Sequence, residues 1–169
     1  MRLFLPPVLV LALFAPSVAA AQQTVIFVRH AERADGGAGA TQPMTGTPAD
    51  PLLSAAGEAR AVRLAAMLAD AGITAIYSSE FRRTQDTVRP LATKLGLKIQ
   101  VVTSKDTATL VGRVKAEPPS GVVLVVGHSN TLPAVIKALG GREVKIADDD
   151  YTGLYILTPA TGALTVIRY

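Results

Sequence analysis

The stretch Val122-Val123-Leu124-Val125-Val126-Gly127-His128 decides the fold, because five branched aliphatic residues lead directly into a glycine and a histidine. A strand that is apolar at every position is typical of the centre of a parallel sheet, where helices cover both faces. A second run, Thr24 to Val28 (TVIFV), leads in the same way into Arg29 and His30. The two runs therefore predict two buried strands, each of which ends close to a histidine.

The segments around these runs alternate between helix and strand patterns. We predict helices over about 54–71, 84–95, 106–115 and 131–139, and further strands over 73–77, 97–102, 151–158 and 163–169. Residues 34–51 predict a loop, and Pro90 lies inside the second helix, where proline normally kinks or breaks a helix. The order β-α-β-α-β-α-β-α-β-β predicts an α/β fold, a three-layer sandwich with a mainly parallel central sheet and a C-terminal antiparallel hairpin.

The N-terminal segment has the features of a secretory signal peptide. No residue from Leu3 to Ala21 is charged, Arg2 precedes this stretch, and Ala19-Ala20-Ala21 satisfies the small-x-small cleavage rule. We therefore expect residues 1–21 to be removed near Ala21, which leaves a single domain over 22–169 that is periplasmic or secreted. A retained membrane anchor is the alternative, and we expect no membrane span in the mature chain.

The composition excludes several classes of function. The 169 residues are 49% hydrophobic and 18% charged, which supplies a core and disfavours disorder. No basic run exceeds the pair Arg82-Arg83, and aromatic residues make up only 5%, so nucleic-acid binding is not expected. The chain has no cysteine, which excludes cysteine-based phosphatases and thiolate metal sites. Its chemistry must therefore use histidine, arginine, serine and carboxylates.

The two histidines of the sequence are both predicted at one edge of the sheet. His30 and His128 follow strands, and ligands of open α/β sheets bind at the carboxyl ends of the strands. Arg29 is adjacent to His30, and Arg83 lies at the first turn of the second helix, where free N–H groups favour an anion. Because arginine offers paired donors to phosphate and histidine can act as a covalent nucleophile, these residues predict a site for a phosphate monoester.

Four motifs carry a family resemblance. They are Val28-Arg29-His30-Ala31-Glu32, Leu53-Ser54 with Gly57, Ser78-Ser79 with Arg83-Thr84-Gln85-Asp86-Thr87, and Val126-Gly127-His128-Ser129-Asn130-Thr131. In this order and spacing they resemble the histidine phosphatase (phosphoglycerate mutase-like) superfamily across nearly all of residues 22–169. One departure is Ala31, which stands where the family motif has glycine.

The resemblance implies a phosphatase mechanism. His30 would attack phosphorus and form a phosphohistidine, which water then hydrolyses, without a metal or any other cofactor. The residues expected to hold the phosphate are Arg29, Arg83, His128, Ser129 and Asn130. The implied activity is that of a phosphoric monoester hydrolase, acting on a small phosphate monoester or a phosphorylated component of the cell envelope.

The residue that protonates the leaving oxygen is open at this point. In much of the superfamily it is a carboxylate after the second-arginine helix and the following strand, where Asp106 lies in this sequence. Asp106 is equally suited to cap a helix. Glu80 and Glu32 are alternatives, because they are close in sequence to Arg83 and His30, but we expect pairing with an arginine to hold Glu80 ionised.

Two other hydrolase mechanisms fit the sequence less well. Gly127-His128-Ser129 resembles the start of a nucleophile elbow, but that fold needs a histidine after the serine, and none follows Ser129. A metal hydrolase could use His30 and His128, although the flanking arginines would repel the ion. The acidic run 148–150 predicts a solvated turn, with a weak cation site as its alternative.

Two alternative functions are consistent with the family resemblance but do not involve phosphatase activity. A non-catalytic periplasmic protein could bind phosphorylated ligands in the same pocket. A phosphomutase is disfavoured, because export would separate it from glycolytic substrates and the chain lacks room for the large insertions of mutases.

Overall fold

The computed structural model describes residues 22–34 and 50–169. The predicted signal peptide, residues 1–21, and all but the ends of the predicted loop 34–51 lie outside these described residues. In chain order the elements are β1 (Thr24–Arg29), α1 (Ala55–Leu68), β2 (Ile73–Ser78), α2 (Arg82–Leu95), β3 (Ile99–Val101), α3 (Thr107–Ala116), β4 (Val122–Gly127), α4 (Leu132–Ala138), β5 (Gly153–Thr158) and β6 (Ala163–Arg168).

The strands form one mixed sheet in the order β3-β2-β4-β1-β5-β6. β1, β2, β3 and β4 run parallel to one another, whereas β5 is antiparallel to β1 and forms the predicted hairpin with β6. The two strands that were predicted to be buried, β1 and β4, are neighbours at the centre. The predicted α/β fold with a C-terminal antiparallel hairpin is confirmed.

The central strands are apolar at every position because both faces of the sheet are covered. On β4, Val123 and Val125 pack in one core with residues of α3 and α4, including Val114 and Ile136. The alternate residues of the same strand pack in a second core with α1 and α2. Successive side chains of a strand point to opposite faces, so an uninterrupted apolar run supplies both cores of the three-layer sandwich.

Helix α2 continues through Pro90 instead of breaking there. Proline removes one backbone hydrogen bond of the helix, but Val88 and Leu91 on either side of it are fully buried. Burial of such side chains contributes about 1.5–3 kcal/mol each, which offsets the cost of the proline. The helix ends as predicted at Gly96, whose φ of +66° suits the left-handed conformation of a C-cap.

Two strands begin later than the sequence predicts. β3 begins only at Ile99, because the Leu97 amide donates to the Ala92 carbonyl in the last turn of α2. The strand predicted over 151–158 begins at Gly153, because the Asp150 carboxylate accepts the Thr152 amide at 3.1 Å and turns the chain there. This second difference places Tyr151 in the loop before β5.

Within residues 22–34 and 50–169, no helix has the length and hydropathy that crossing a bilayer would require.

Candidate active site

The central strand pair brings the two histidines together. β1 and β4 are parallel, and Arg29 at the end of β1 pairs with Gly127 at the end of β4. His30 directly follows Arg29 and His128 directly follows Gly127, so the two histidines lie side by side. Their ring centroids are 5.3 Å apart. The prediction that both histidines lie at one edge of the sheet is confirmed.

The neighbouring strand β2 adds a hydroxyl and the second arginine to the same edge. Ser78, its last residue, pairs with Val126 of β4, and the Ser79 hydroxyl lies 2.9 Å from Nε2 of His128. Helix α2 begins three residues later and carries Arg83 in its first turn. Three parallel strand ends thus build one site.

The two arginines and two histidines predicted at this site are all buried where the strand ends converge. The exposed fraction is 6% for Arg29, 3% for His30, 8% for Arg83 and 7% for His128. Arginine is rarely buried to this extent without a charged partner. Two guanidinium groups and two imidazoles in one buried cluster favour an anionic ligand.

The hydrogen bond of His30 fixes which of its nitrogens can react. Nδ1 lies 2.8 Å from the Ala31 carbonyl oxygen, which only accepts hydrogen bonds, so Nδ1 carries the proton. Nε2 then keeps its lone pair. Burial, supported by the nearby charge of Arg29 and partly opposed by the Ala31 hydrogen bond, lowers the pKa of His30 to about 3. His30 is therefore a neutral nucleophile at physiological pH.

His128 belongs to a short chain of buried hydroxyl groups. The Thr84 hydroxyl donates to the Phe81 carbonyl at 2.6 Å, so the Ser79 hydroxyl, 2.8 Å away, donates to Thr84. Ser79 then accepts its remaining hydrogen bond from Nε2–H of His128. Burial and the Arg83 charge lower the pKa of His128 to about 4, against the opposing charge of Glu80.

Arg29 is buried, and no carboxylate of the described residues balances its charge. Among residues 22–34 and 50–169, no carboxylate lies within salt-bridge distance of it, and its Nε has no hydrogen-bond partner. Its guanidinium lies 4.2 Å from the centroid of the Tyr151 ring, and Nη1 donates to the Ala147 carbonyl at 3.4 Å. A buried charge without a counter-ion is costly, so this environment is suited to an incoming anion.

Tyr151 is a site residue that the sequence did not reveal. Its ring contacts Arg29, and the ring centroids of Tyr151 and His30 are 6.0 Å apart. The residue reaches the site because β5 is antiparallel to β1, so the chain just before β5 lies where β1 ends. No local sequence pattern indicates this position, since the sequence predicted that Tyr151 would lie inside the strand.

Asp50 is a second site residue outside the predicted set. Both oxygens of its carboxylate accept the Arg82 amide at 3.0 Å, which caps the N-terminus of α2. One oxygen also lies 3.4 Å from Nη1 of Arg83. Asp50 therefore helps to orient the second arginine.

The remaining motif residues hold the His30 loop in place. The Ala31 amide donates to the Thr87 hydroxyl at 2.9 Å, and Thr87 donates to the Arg83 carbonyl at 2.7 Å, so the two arginine segments are joined. A Cβ atom at Gly57 would lie 2.2 Å from the Glu32 carbonyl oxygen, so only glycine allows α1 to approach this loop.

The three carboxylates considered as proton donors lie in different surroundings. Arg60 binds both carboxylate oxygens of Glu32. Asp106 is exposed and caps α3 by accepting the Thr109 amide at 3.0 Å, which lowers the pKa of Asp106. Glu80 bonds to Ser104 instead of an arginine.

Glu80 is the candidate whose charge acts on His128. Its carboxylate accepts the amide of Ser104 at 2.7 Å and the hydroxyl of the same residue at 2.9 Å. Burial raises the pKa of Glu80, but hydrogen bonds from its own backbone and from Ser104 outweigh this effect, and the pKa is lowered. The charge of Glu80 opposes the lowering of the His128 pKa, and Glu80 directly follows Ser79, whose hydroxyl lies 2.9 Å from Nε2 of His128.

The acidic run 148–150 is tied to the rest of the structure. The Ser129 hydroxyl donates to Asp148, and Asp150 pairs with Arg168. In the described part of the chain, no group of three or more histidine, aspartate and glutamate side chains is placed to hold a metal ion. Asn130, the other predicted substrate contact, is exposed beside His128.

The family follows from the sequence comparison and the arrangement of the motifs. The family model of the histidine phosphatase superfamily (branch 1) matches residues 25–106, which include Arg29, His30 and Arg83. By sequence, residues 25–106 match this superfamily, and the second-histidine motif at 126–131 lies outside the matched part. No curated protein matches the sequence.

Solved structures share the fold at low sequence identity. Mycobacterial glucosyl-3-phosphoglycerate phosphatase is 16% identical, with a TM-score of 0.61 over 86% of this chain and 97% of that chain. Phosphoserine phosphatase from Entamoeba histolytica is 15% identical, with a TM-score of 0.61 over 86% and 95%. SixA, a candidate phosphohistidine phosphatase from Agrobacterium tumefaciens, is 22% identical, with a TM-score of 0.59 over 85% and 95%.

Proposed function

We propose that the protein is a phosphoric monoester hydrolase that acts through a covalent phosphohistidine on His30. The observation that carries this proposal is the buried guanidinium of Arg29, which has no carboxylate partner among the described residues and adjoins the neutral His30. A phosphate monoester supplies the missing negative charge and places an electrophile beside a nucleophile.

The reaction has two steps. Nε2 of His30 attacks phosphorus, the bond from phosphorus to the ester oxygen breaks, and its electron pair stays on the leaving oxygen. Water then attacks the phosphohistidine, inorganic phosphate leaves, and His30 regains its lone pair. Because Nδ1 donates to Ala31, the imidazole keeps the tautomer that each attack requires.

The surrounding cations stabilise the charge on the transferred phosphoryl group. Arg29 and Arg83 offer paired N–H donors to the oxygens that do not react. His128 adds a further donor from Nδ1 once the negative charge of the bound phosphate favours its doubly protonated form, because Nε2–H is already donated to Ser79. These groups are held by Tyr151, Asp50 and Ser79, so little reorganisation is needed during the reaction. Such prepositioned donors are typically the largest contribution to catalysis.

We infer that Glu80 supplies the proton to the leaving oxygen. It directly follows Ser79, whose hydroxyl bonds to His128, whereas the Asp106 carboxylate caps helix α3. A bound phosphate adds negative charge beside Glu80, which favours its protonated form. Asp106, the first candidate from the sequence, stays the alternative, and the comparison of leaving groups described below separates the two.

The substrate is proposed to be a phosphorylated small molecule in the periplasm or outside the cell. Structural neighbours named for glucosyl-3-phosphoglycerate and phosphoserine support small phosphate monoesters as a class. Export rests on residues 1–21 alone. N-terminal sequencing of protein from a periplasmic extract should give a chain that begins near Gln22, and a chain that keeps Met1 in the membrane fraction would indicate an anchor.

A panel of phosphate monoesters, assayed by release of inorganic phosphate, tests the proposal. We expect wild-type protein to hydrolyse at least one class and His30→Ala to lose turnover while unfolding at the same urea concentration. Turnover by a folded His30→Ala variant would refute the covalent mechanism. Wild-type protein that binds phosphate but hydrolyses no ester would instead be the non-catalytic binder.

A further inference from the structure

A second cavity adjoins the phosphate pocket at His128. Its volume is about 450 Å³, which is within the range of small-molecule sites. Besides His128, its lining includes Phe81, Ser104, Lys105, Asn130, Thr131 and Ala134. Of these, only Asn130 and Thr131 belong to a motif that the sequence analysis identified.

Phe81 forms the wall between this cavity and the phosphate pocket. Its ring meets the His128 ring edge-on, with centroids 5.2 Å apart, and the Arg83 guanidinium lies 4.2 Å from its centroid. A phosphate held by Arg83 and His128 therefore has its ester group within reach of Phe81 and the cavity beyond. The cavity lies in position to hold the leaving group.

Lys105 lines the cavity with a cation that forms no ion pair with a described residue. In the described part of the chain, no carboxylate lies within salt-bridge distance of its ammonium group. Asp106 is adjacent to Lys105 in sequence, and Glu80 is bonded to the neighbouring Ser104, but both carboxylates accept hydrogen bonds from neutral donors. Neither one forms an ion pair with Lys105.

The other residues that line the cavity indicate which ligand groups would bind beside the Lys105 ammonium. Asn130 is exposed, and no other described residue hydrogen-bonds to its side-chain amide, which can therefore donate to an oxygen acceptor. Phe81 and Ala134 contribute apolar surface. One ammonium, one amide and an apolar wall match a carbon skeleton that ends in a singly charged carboxylate. A second phosphate would bring two charges against one ammonium, close to Glu80.

Building on the proposed phosphatase activity, we infer that this cavity is a leaving-group subsite, which selects phosphate monoesters whose leaving group carries a carboxylate. Lys105 acts as a specificity-determining residue and does not touch the reacting atoms. Its contribution therefore appears in the ratio of the kcat/KM values for charged and neutral substrates, and the chemical step at His30 is unchanged.

A comparison of two aryl phosphates of nearly equal size measures the effect of the carboxylate charge alone. The probes are 3-carboxyphenyl phosphate and 3-carbamoylphenyl phosphate, which differ in charge at one substituent far from the ester oxygen. We expect wild-type kcat/KM to favour the carboxylate, and Lys105→Met to reduce that preference about tenfold, or about 1.4 kcal/mol. Lys105→Met should hydrolyse the carbamoyl ester at the wild-type rate.

Lys94→Met is the matched control, because it removes the same charge from the last turn of α2, at the opposite edge of the sheet. Its preference should equal that of wild-type protein. Equal use of both esters by wild-type protein, an equal loss for both in Lys105→Met, or the same change in Lys94→Met would overturn the subsite. Hydrolysis of the carbamoyl ester tests the proposed phosphatase activity independently of the subsite, because this ester has no carboxylate. If wild-type protein cleaves neither ester, the phosphatase proposal fails and the subsite fails with it.

Discussion

Acidification should destabilise this fold well above the pH at which carboxylates titrate, because two histidines are buried in neutral form. Burial lowers the pKa of His30 to about 3 and that of His128 to about 4, whereas an unfolded histidine titrates near its ordinary pKa of 6.5. Between these values the unfolded chain binds protons that the folded chain does not. Stability is therefore full above about pH 7 and falls as the pH drops towards 4.

The size of the effect follows from the same values. At about pH 5, an unfolded histidine is mostly protonated while both folded histidines remain neutral. This pH is about 1.5 units below the unfolded pKa, and each unit corresponds to about 1.36 kcal/mol. Each histidine therefore lowers the free energy of unfolding by about 2 kcal/mol. The pair together costs about 4 kcal/mol, which is a large share of the 5–15 kcal/mol that is typical of domains.

Urea unfolding followed by far-UV circular dichroism measures this loss, since the chain has no tryptophan for fluorescence. We expect the unfolding free energy to be about 4 kcal/mol lower at about pH 5 than at about pH 7.5. The double variant His30→Gln, His128→Gln should lose most of this pH dependence. A fall of less than about 1 kcal/mol, or an unchanged fall in the double variant, would show that the buried histidines are not neutral.

Three further predictions concern activity. Tyr151→Leu should lower kcat/KM about two- to thirtyfold, mainly through KM, because Arg29 loses a cation–π contact worth about 0.5–2 kcal/mol. Tyr151→Phe keeps the ring, so its kcat/KM should stay near that of wild-type protein. Activity should survive exhaustive chelation and be inhibited by vanadate, and loss of activity that a divalent cation restores would favour a metal hydrolase. Glu80→Gln should slow an alkyl phosphate about 10²–10⁴-fold and spare an activated aryl phosphate, whereas Asp106→Asn should slow neither. The same selective loss in Asp106→Asn would assign the proton to Asp106.

The features that the sequence predicted well depend on local patterns. The apolar run of β4 and the shorter run of β1 indicated central strands, because burial on both faces removes the usual alternation. Ser54 indicated the start of α1, and its hydroxyl accepts the Gly57 amide at 3.1 Å. Since both strands are parallel and central, the positions of their following histidines also predicted the site.

The features that the sequence missed depend on contacts between distant segments. Tyr151 reaches Arg29 only because β5 pairs antiparallel with β1, and Asp50 reaches Arg83 only because it caps a helix that begins 32 residues later. The engagement of Glu80 by Ser104 likewise depends on how the loop after β3 lies against the turn after β2. No local pattern encodes these three contacts.

The covalent intermediate is the central claim, and its direct trapping is the sharpest measurement. Wild-type protein would be mixed with a hydrolysable phosphate monoester, quenched in base within milliseconds because phosphohistidine is labile in acid, digested, and analysed by mass spectrometry. We predict one phosphate on the peptide that contains His30, formed before inorganic phosphate is released and absent from His30→Ala. Turnover at the same rate with no phosphate on His30, or with phosphate on another residue, would contradict the mechanism.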